Sequence, residues 1–161
     1  MAEMMHVKGL RELQDALREL PAKVATKHLR GAVLAGAKLI RDEAKAVAPV
    51  YTGKVEDGYP PPGTLKRAIS MARSNRDRAP GKEVANVFVR QAKNGNVGQK
   101  NVKAYGKFDA YYWRYVEFGT SKMAARPFMR PAFEAKKEGA VEAIKQRLAD
   151  GVEAEATALR K

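Results

Sequence analysis

The sequence predicts an α+β fold in which a long N-terminal helix and a C-terminal helix pack on a small, mostly antiparallel β-sheet, with long mobile loops between elements. Three observations carry that expectation. An apolar stripe at helical spacing runs over residues 22–47, a β-branched and aromatic run follows at 84–90, and a second helical stripe extends from Pro131 to about Ala149. The order helix, helix, strands, helix argues against a repeated βαβ unit, and no internal repeat is evident. The 161 residues read as a single domain, with its core at 9–149, loops at 49–64 and 91–107, and a C-terminal tail at 150–161.

Leu10, Leu13, Leu17 and Leu20 recur at steps of three and four, one face of a short helix with Gly9 at its entrance and Pro21 at its end. The next pattern is longer. Leu29, Val33, Ala37, Ile40, Ala44 and Val47 share a stripe, while Lys27, Lys38, Arg41, Asp42 and Lys45 fall mostly off it, which predicts an amphipathic helix of about seven turns. Gly31, Ala32, Ala35 and Gly36 lie inside it. Two glycines cost helix propensity, so either another backbone packs closely there or the glycines are merely tolerated.

Pro49 ends this helix. Residues 51–63, with three glycines and the Pro60–Pro62 run, read as a stiff irregular loop; a polyproline ligand for an aromatic groove is the alternative. Leu65–Asn75 predicts a helical turn and then a strand. Val84–Arg90 predicts a strand with Ala85, Val87 and Val89 on one face and Asn86, Phe88 and Arg90 on the other. Residues 91–107, rich in glycine, asparagine and lysine, read as a long mobile loop or hairpin tip. Ala110–Phe118 is too short for periodicity to decide between a strand and a two-turn helix, and the strand is expected. In the closing helix Phe133, Ala140, Ile144 and Leu148 are expected to face the core, with Lys136, Lys137, Glu138, Glu142 and Lys145 mostly outside; the last dozen residues extend it or fray.

Catalysis requires titratable groups brought together, and this chain is poor in them. It has no cysteine, which removes thiolate chemistry, disulfides and Cys-ligated metals. His6 and His28, its two histidines, are far apart and belong to no metal-binding spacing. Asp42 and Glu43 are adjacent on a helix, so they diverge by about 100° and do not form an acid–base pair. Phosphate-cradling glycine motifs and a nucleophile elbow are missing. The reading is a non-enzyme with no cofactor and no metal. No apolar run nears the roughly 18 residues that span a bilayer, and no signal peptide opens the chain, so a soluble, cytoplasmically made protein is expected without a membrane partner.

The charge is strongly positive, with 31 Lys and Arg against 18 acids and a net +13. It is also uneven. Residues 66–107 hold eleven Lys or Arg against only Asp77 and Glu83. Such a field suits a polyanion or an acidic protein partner. Tyr105, Phe108, Tyr111, Tyr112 and Trp113 follow the basic loop and could stack bases, but core packing is the expected role of so much aromatic mass.

The run YVEFGTSKM at 115–123, followed by ARPFMRPA at 125–132, has a physical reading of its own. Gly119 permits a sharp reversal, Thr120 or Ser121 can bond the turn, and Pro127 and Pro131 stiffen the path into the last helix, with Phe128 and Phe133 as anchors. Glu117 is either a surface charge or the partner of Arg126 or Arg130, within or between chains.

These words, preceded by a long helix that ends in Ala44–Pro49, then Thr52-Gly53, and by Gly63-Thr64-Leu65 through Ile69, resemble the Hong Kong 97-type gene-product-ten-like family of long-tailed bacteriophage neck and tail-completion proteins. The resemblance covers about residues 9–149 and departs in the proline-rich spacer and the lysine-rich loop. It implies a virion structural protein without enzymatic activity, a head–tail joining ring subunit assembled in the host cytoplasm and located in the neck or tail. The implied partners are other copies in a homo-oligomeric ring, head-closure or connector proteins, a tail terminator or tail tube protein, and packaged DNA by non-specific contact. The subunit or partner interface is then expected at Tyr115, Glu117, Phe118, Gly119, Thr120, Arg126, Phe128 and Arg130, with assembly loops at Tyr59, Pro61, Lys93, Lys100, Lys103 and Lys107. The alternative reading is a basic nucleic-acid-binding accessory protein.

Overall fold

The computed structural model describes residues 22–52, 60–74, 82–90 and 110–159. In chain order these form α1 (Ala22–Val47), α2 (Thr64–Ala68), β1 (Ile69–Arg73), β2 (Ala85–Val89), α3 (Trp113–Phe118) and α4 (Met129–Leu159). The fold is α+β, with two long helices and a two-stranded antiparallel sheet. The leucine-striped segment 10–20, Tyr59 and the loop 91–107 lie outside the described residues.

α1 and α4 form an antiparallel hairpin, because successive contacts run in opposite directions along them. Glu43 pairs with Lys136 at 3.4 Å, and His28 bonds Glu155 at 2.9 Å. Between these ends, a Cβ built on Gly36 would lie 2.8 Å from Ile144 Cγ1 and 2.9 Å from the Ala140 carbonyl oxygen. Only a residue without a side chain lets the two backbones come this close. Gly31 has open space around it, so of the two expected reasons for a helical glycine, close packing applies to Gly36 and tolerance to Gly31. Buried Ala32, Ala37, Ala140 and Leu148 complete the seam.

The sheet lies against α1. Ile69 pairs with Val89, Met71 with Val87 and Arg73 with Ala85, which places Ile69 and Val89 in the core and leaves Asn86 and Phe88 outward, as the alternation predicts. Further backbone bonds from Ser74 to Val84 at 2.8 Å and from Arg90 to Ala68 at 2.9 Å lengthen the ladder. Glu83, its side chain 5% exposed, sits between Arg30 of α1 at 3.5 Å and Arg73 of β1 at 3.9 Å and ties helix to sheet. The main core gathers Ala44 and Ala48, Leu65 and Ala68, Ile69, Val89, Ala110, Phe128 and Ala132.

Four expectations are corrected. Residues 113–118 form a helix, not a strand: Trp113, Val116 and Glu117 turn inward, whereas Arg114, Tyr115 and Phe118 turn out, a separation by three and four that only a helix produces. α4 starts at Met129, two residues before Pro131, and of the two outcomes left open for its end it takes the extension, through 150–159. Pro131 is tolerated because first-turn amides have no intrahelical acceptor to lose. Phe133 does not anchor the helix: it is 50% exposed, and Phe128 alone fills that role. Val47, at the last turn of α1, is also exposed, and Ala48 takes the buried place beyond it.

Candidate assembly surface

The segment from α3 to the start of α4 is built around three backbone devices. Gly119 stops α3 by bonding its amide to the Tyr115 carbonyl at 2.9 Å, with φ at +75°. A Cβ there would lie 2.9 Å from the Ala125 nitrogen and 3.0 Å from the Met123 oxygen, so glycine is required for both conformation and space. Thr120 and Met123 then close a tight turn through mutual backbone bonds of 2.9 and 3.3 Å, and the Thr120 hydroxyl accepts from the Lys122 amide. The Arg126 amide donates to the Val116 carbonyl at 2.8 Å, which brings the returning chain alongside α3.

Glu117 locks this path to the last helix. One carboxylate oxygen accepts from the backbone amides of Phe128 at 2.8 Å and Met129 at 3.1 Å, and the other from Arg130 at 3.2 Å. The Met129 and Arg130 amides belong to the first turn of α4 and the Phe128 amide immediately precedes it, so the helix itself satisfies none of them, and the negative charge sits at the positive end of the helix dipole. The carboxylate's partners are thus main-chain amides, not the guanidinium groups of Arg126 or Arg130. Burial follows: Glu117 is 8% exposed, and Phe128 beside it is fully enclosed. No local motif announces this cap, because donor and acceptor are eleven to thirteen residues apart.

With Glu117 facing in, the opposite face of α3 presents large apolar side chains to solvent. Phe118 is 75% exposed and Tyr115 54%, three residues apart on one helix face. Met123 of the turn is exposed, and so are Phe133 of α4 and Val47 and Tyr51 at the end of α1. Arg114, Lys122, Arg126 and Arg130 of the same segment are exposed as well. Met123 and Arg114 were not singled out from the sequence; the three-residue spacing of aromatics, read as helical, is the signal that finds this face.

The aromatic residues just before this face pack inward. Tyr112 and Trp113 lie against the core, and burial pushes the Tyr112 phenol above its ordinary range, an effect the Leu65 backbone and Arg67 partly offset. The guanidinium of Arg114 lies 5.5 Å over the Trp113 ring.

Of the expected interface residues, Tyr115, Phe118, Thr120, Arg126 and Arg130 are exposed and Gly119 is half-buried, whereas Glu117 and Phe128 are buried. Pro61 is elsewhere: its carbonyl accepts from the Thr64 hydroxyl at 2.6 Å and opens α2. Tyr59, Lys93, Lys100, Lys103 and Lys107 lie outside the described residues. Among the described residues, no group of histidines and acids converges to hold a metal ion, and no helix is long and apolar enough to cross a membrane.

Comparison with known proteins returns one family, described as "Bacteriophage HK97-gp10, putative tail-component", matched over residues 11–119. The match takes in α1 through the Gly119 turn and stops before α4. No curated protein and no solved structure matches.

Proposed function

Because the chain belongs to this Hong Kong 97 gene-product-ten-like family of bacteriophage tail components, we propose that it is the neck subunit of the virion, a tail-completion protein that oligomerises into a ring and joins the head connector to the tail tube. The observation that carries the reading is the exposed aromatic face of Tyr115 and Phe118. Large apolar side chains exposed on a rigid support, in a segment that also exposes cations, are the composition of a protein–protein contact. The support is rigid for stated reasons: α3 is pinned to α4 by Glu117, and α4 is pinned to α1 along a seam of small residues.

The role is mechanical. The α1–α4 hairpin, about 40 Å long at the rise of an α-helix, serves as a strut, and its aromatic end presents Tyr115, Phe118, Gly119, Thr120, Arg126 and Arg130 to a neighbouring subunit or to a connector or tail protein. The lysines of residues 91–107 supply positive charge for acidic ring partners or for DNA in the channel. Electron microscopy of particles made by the phage or prophage carrying this gene, with the gene disrupted, tests the proposal. Filled heads accumulating apart from tails are expected; normally joined particles would refute it.

A further inference from the structure

We propose that the aromatic end of the hairpin receives an acidic protein surface with apolar sites, carried by a virion protein other than this one. Phe118 and Tyr115 enter the apolar sites, and Arg114, Lys122, Arg126 and Arg130 meet the carboxylates. The inference rests on the neck reading and names the chemistry of the partner. Its starting point is where apolar surface is left uncovered. Apart from Leu39 on α1 and Phe88 on β2, every exposed large hydrophobic among the described residues belongs to the segments where α1 stops, α3 turns and α4 begins. This is the end of the hairpin opposite Ala22 and the contact of His28 with Glu155.

The exposed charge of this segment has one sign. On α3, Arg114 and Tyr115 stand four and three residues before Phe118, so a cation and two aromatics share the outer face. Backbone bonds hold the other cations beside that helix: the Arg126 amide on the Val116 carbonyl at 2.8 Å, the Arg130 amide on the Glu117 carboxylate at 3.2 Å, and the Lys122 amide on the Thr120 hydroxyl at 3.3 Å. The acids that would neutralise them are occupied. Glu117, the only acid in residues 113–130, gives both oxygens to backbone amides. In the last five residues of α1 and the first eight of α4 the acids are Glu43, held by Lys136 at 3.4 Å, and Glu134, held by Lys137 at 2.9 Å. Three kinds of occupant offer this surface different things. Duplex DNA supplies anions but keeps its bases stacked, so it has no apolar site for Phe118 or Met123. A second copy presenting the same end sets four cations against four, and like charges across a contact are costly. Elsewhere on that copy, only Leu39 and Phe88 are exposed among the described large hydrophobics, on separate elements. An acidic surface with apolar sites satisfies both halves at once: the aromatic anchors bury, and the cations pair and speed the encounter.

The test supplies variants in trans to the phage or prophage with this gene disrupted. Lys122→Glu with Arg126→Glu reverses two exposed charges, Phe118→Ser removes the most exposed anchor, and Arg126→Glu alone serves as a milder second variant. Thermal melts of the purified proteins by circular dichroism are expected to match the parent, because these side chains are exposed. The yield of joined particles is expected to fall at least about ten-fold with the charge reversal and with Phe118→Ser. Phage selected for growth on the charge-reversed protein are expected to carry, in a different virion protein, an acid replaced by lysine or by an amide. Compensating changes confined to the acids of this chain would assign the face to a second copy and overturn the proposal. Joining that withstands Phe118→Ser but fails on charge reversal, together with loss of binding to a duplex DNA fragment, would assign it to DNA and overturn it too. Normal joining with every variant, while particles without the protein stay unjoined, would refute this contact and leave the neck reading standing. Particles that join without the protein would sink both.

Discussion

Replacing Glu117 by alanine removes the acceptor of three backbone amides in one step. The Phe128 amide is buried, so its loss of a partner costs about 1–3 kcal/mol. Those of Met129 and Arg130 are partly buried and can regain water, so their contribution is that of a lost helix cap, about 0.5–2 kcal/mol. The sum is about 1.5–5 kcal/mol, or a melting temperature lower by about 3–20 °C in a chain of this size. Urea unfolding followed by fluorescence and by circular dichroism measures it. The single tryptophan is Trp113, on α3 itself, so the fluorescence reads the affected region directly. Two further variants fix the cause. Glu117→Gln keeps one acceptor oxygen and turns the other into a donor facing an amide, for an intermediate loss of about 1–2 kcal/mol. Arg130→Ala keeps its backbone amide and loses only an exposed side chain, and is expected to stay within about 0.5 kcal/mol of the parent. A loss below about 0.5 kcal/mol for Glu117→Ala, or an equal loss for Arg130→Ala, would refute the cap and return Glu117 to a surface or intersubunit ion pair.

Three other outcomes follow from the same packing. Gly36→Ala is expected to destabilise by about 1–2 kcal/mol, since overpacking against Ile144 and Ala140 outweighs the gain in helix propensity; Gly31→Ala, with open space around it, should instead stabilise by up to about 1 kcal/mol, and thermal melts of the pair compare them directly. Phe128→Ala empties the largest fully buried side chain among the described residues and is expected to cost about 3–5 kcal/mol in denaturant unfolding. Because Tyr112 holds its proton more tightly folded than unfolded, it contributes stability below the ordinary tyrosine range near pH 10 that is lost as pH rises through it; Tyr112→Phe should flatten the alkaline fall in melting temperature, and an unchanged slope would count against its burial.

How much could be read in advance differs by element, and for physical reasons. α1 was legible close to its bounds because 26 residues of helical period outweigh local ambiguity, and β2 because its β-branched and aromatic content supports an alternation that Phe88 interrupts. The stretch 110–118 was not: nine residues of mixed aromatics satisfy either period, and the outcome was decided by the Gly119 stop and by the core that Trp113 and Val116 enter. Phe133 and Phe128 look alike as anchors in the sequence, and only the start of α4 at Met129 determines which of them points inward.

The candidate surface divides the same way. Tyr115, Phe118, Gly119 and Thr120 stand out in a linear reading, as does the family resemblance that the match over 11–119 establishes. By itself the sequence determined the helical stripes, the strand alternation, the glycine at a required turn and the positive charge, because each depends on residues close together along the chain. The tertiary structure alone decided that Glu117 caps a helix eleven residues away, that Gly36 and not Gly31 meets another backbone, and that the aromatic face stands at the far end of the strut from Ala22. Those are relations between distant segments, set by which surfaces bury together, and a hydrogen bond or close contact across such a distance leaves no periodicity behind it.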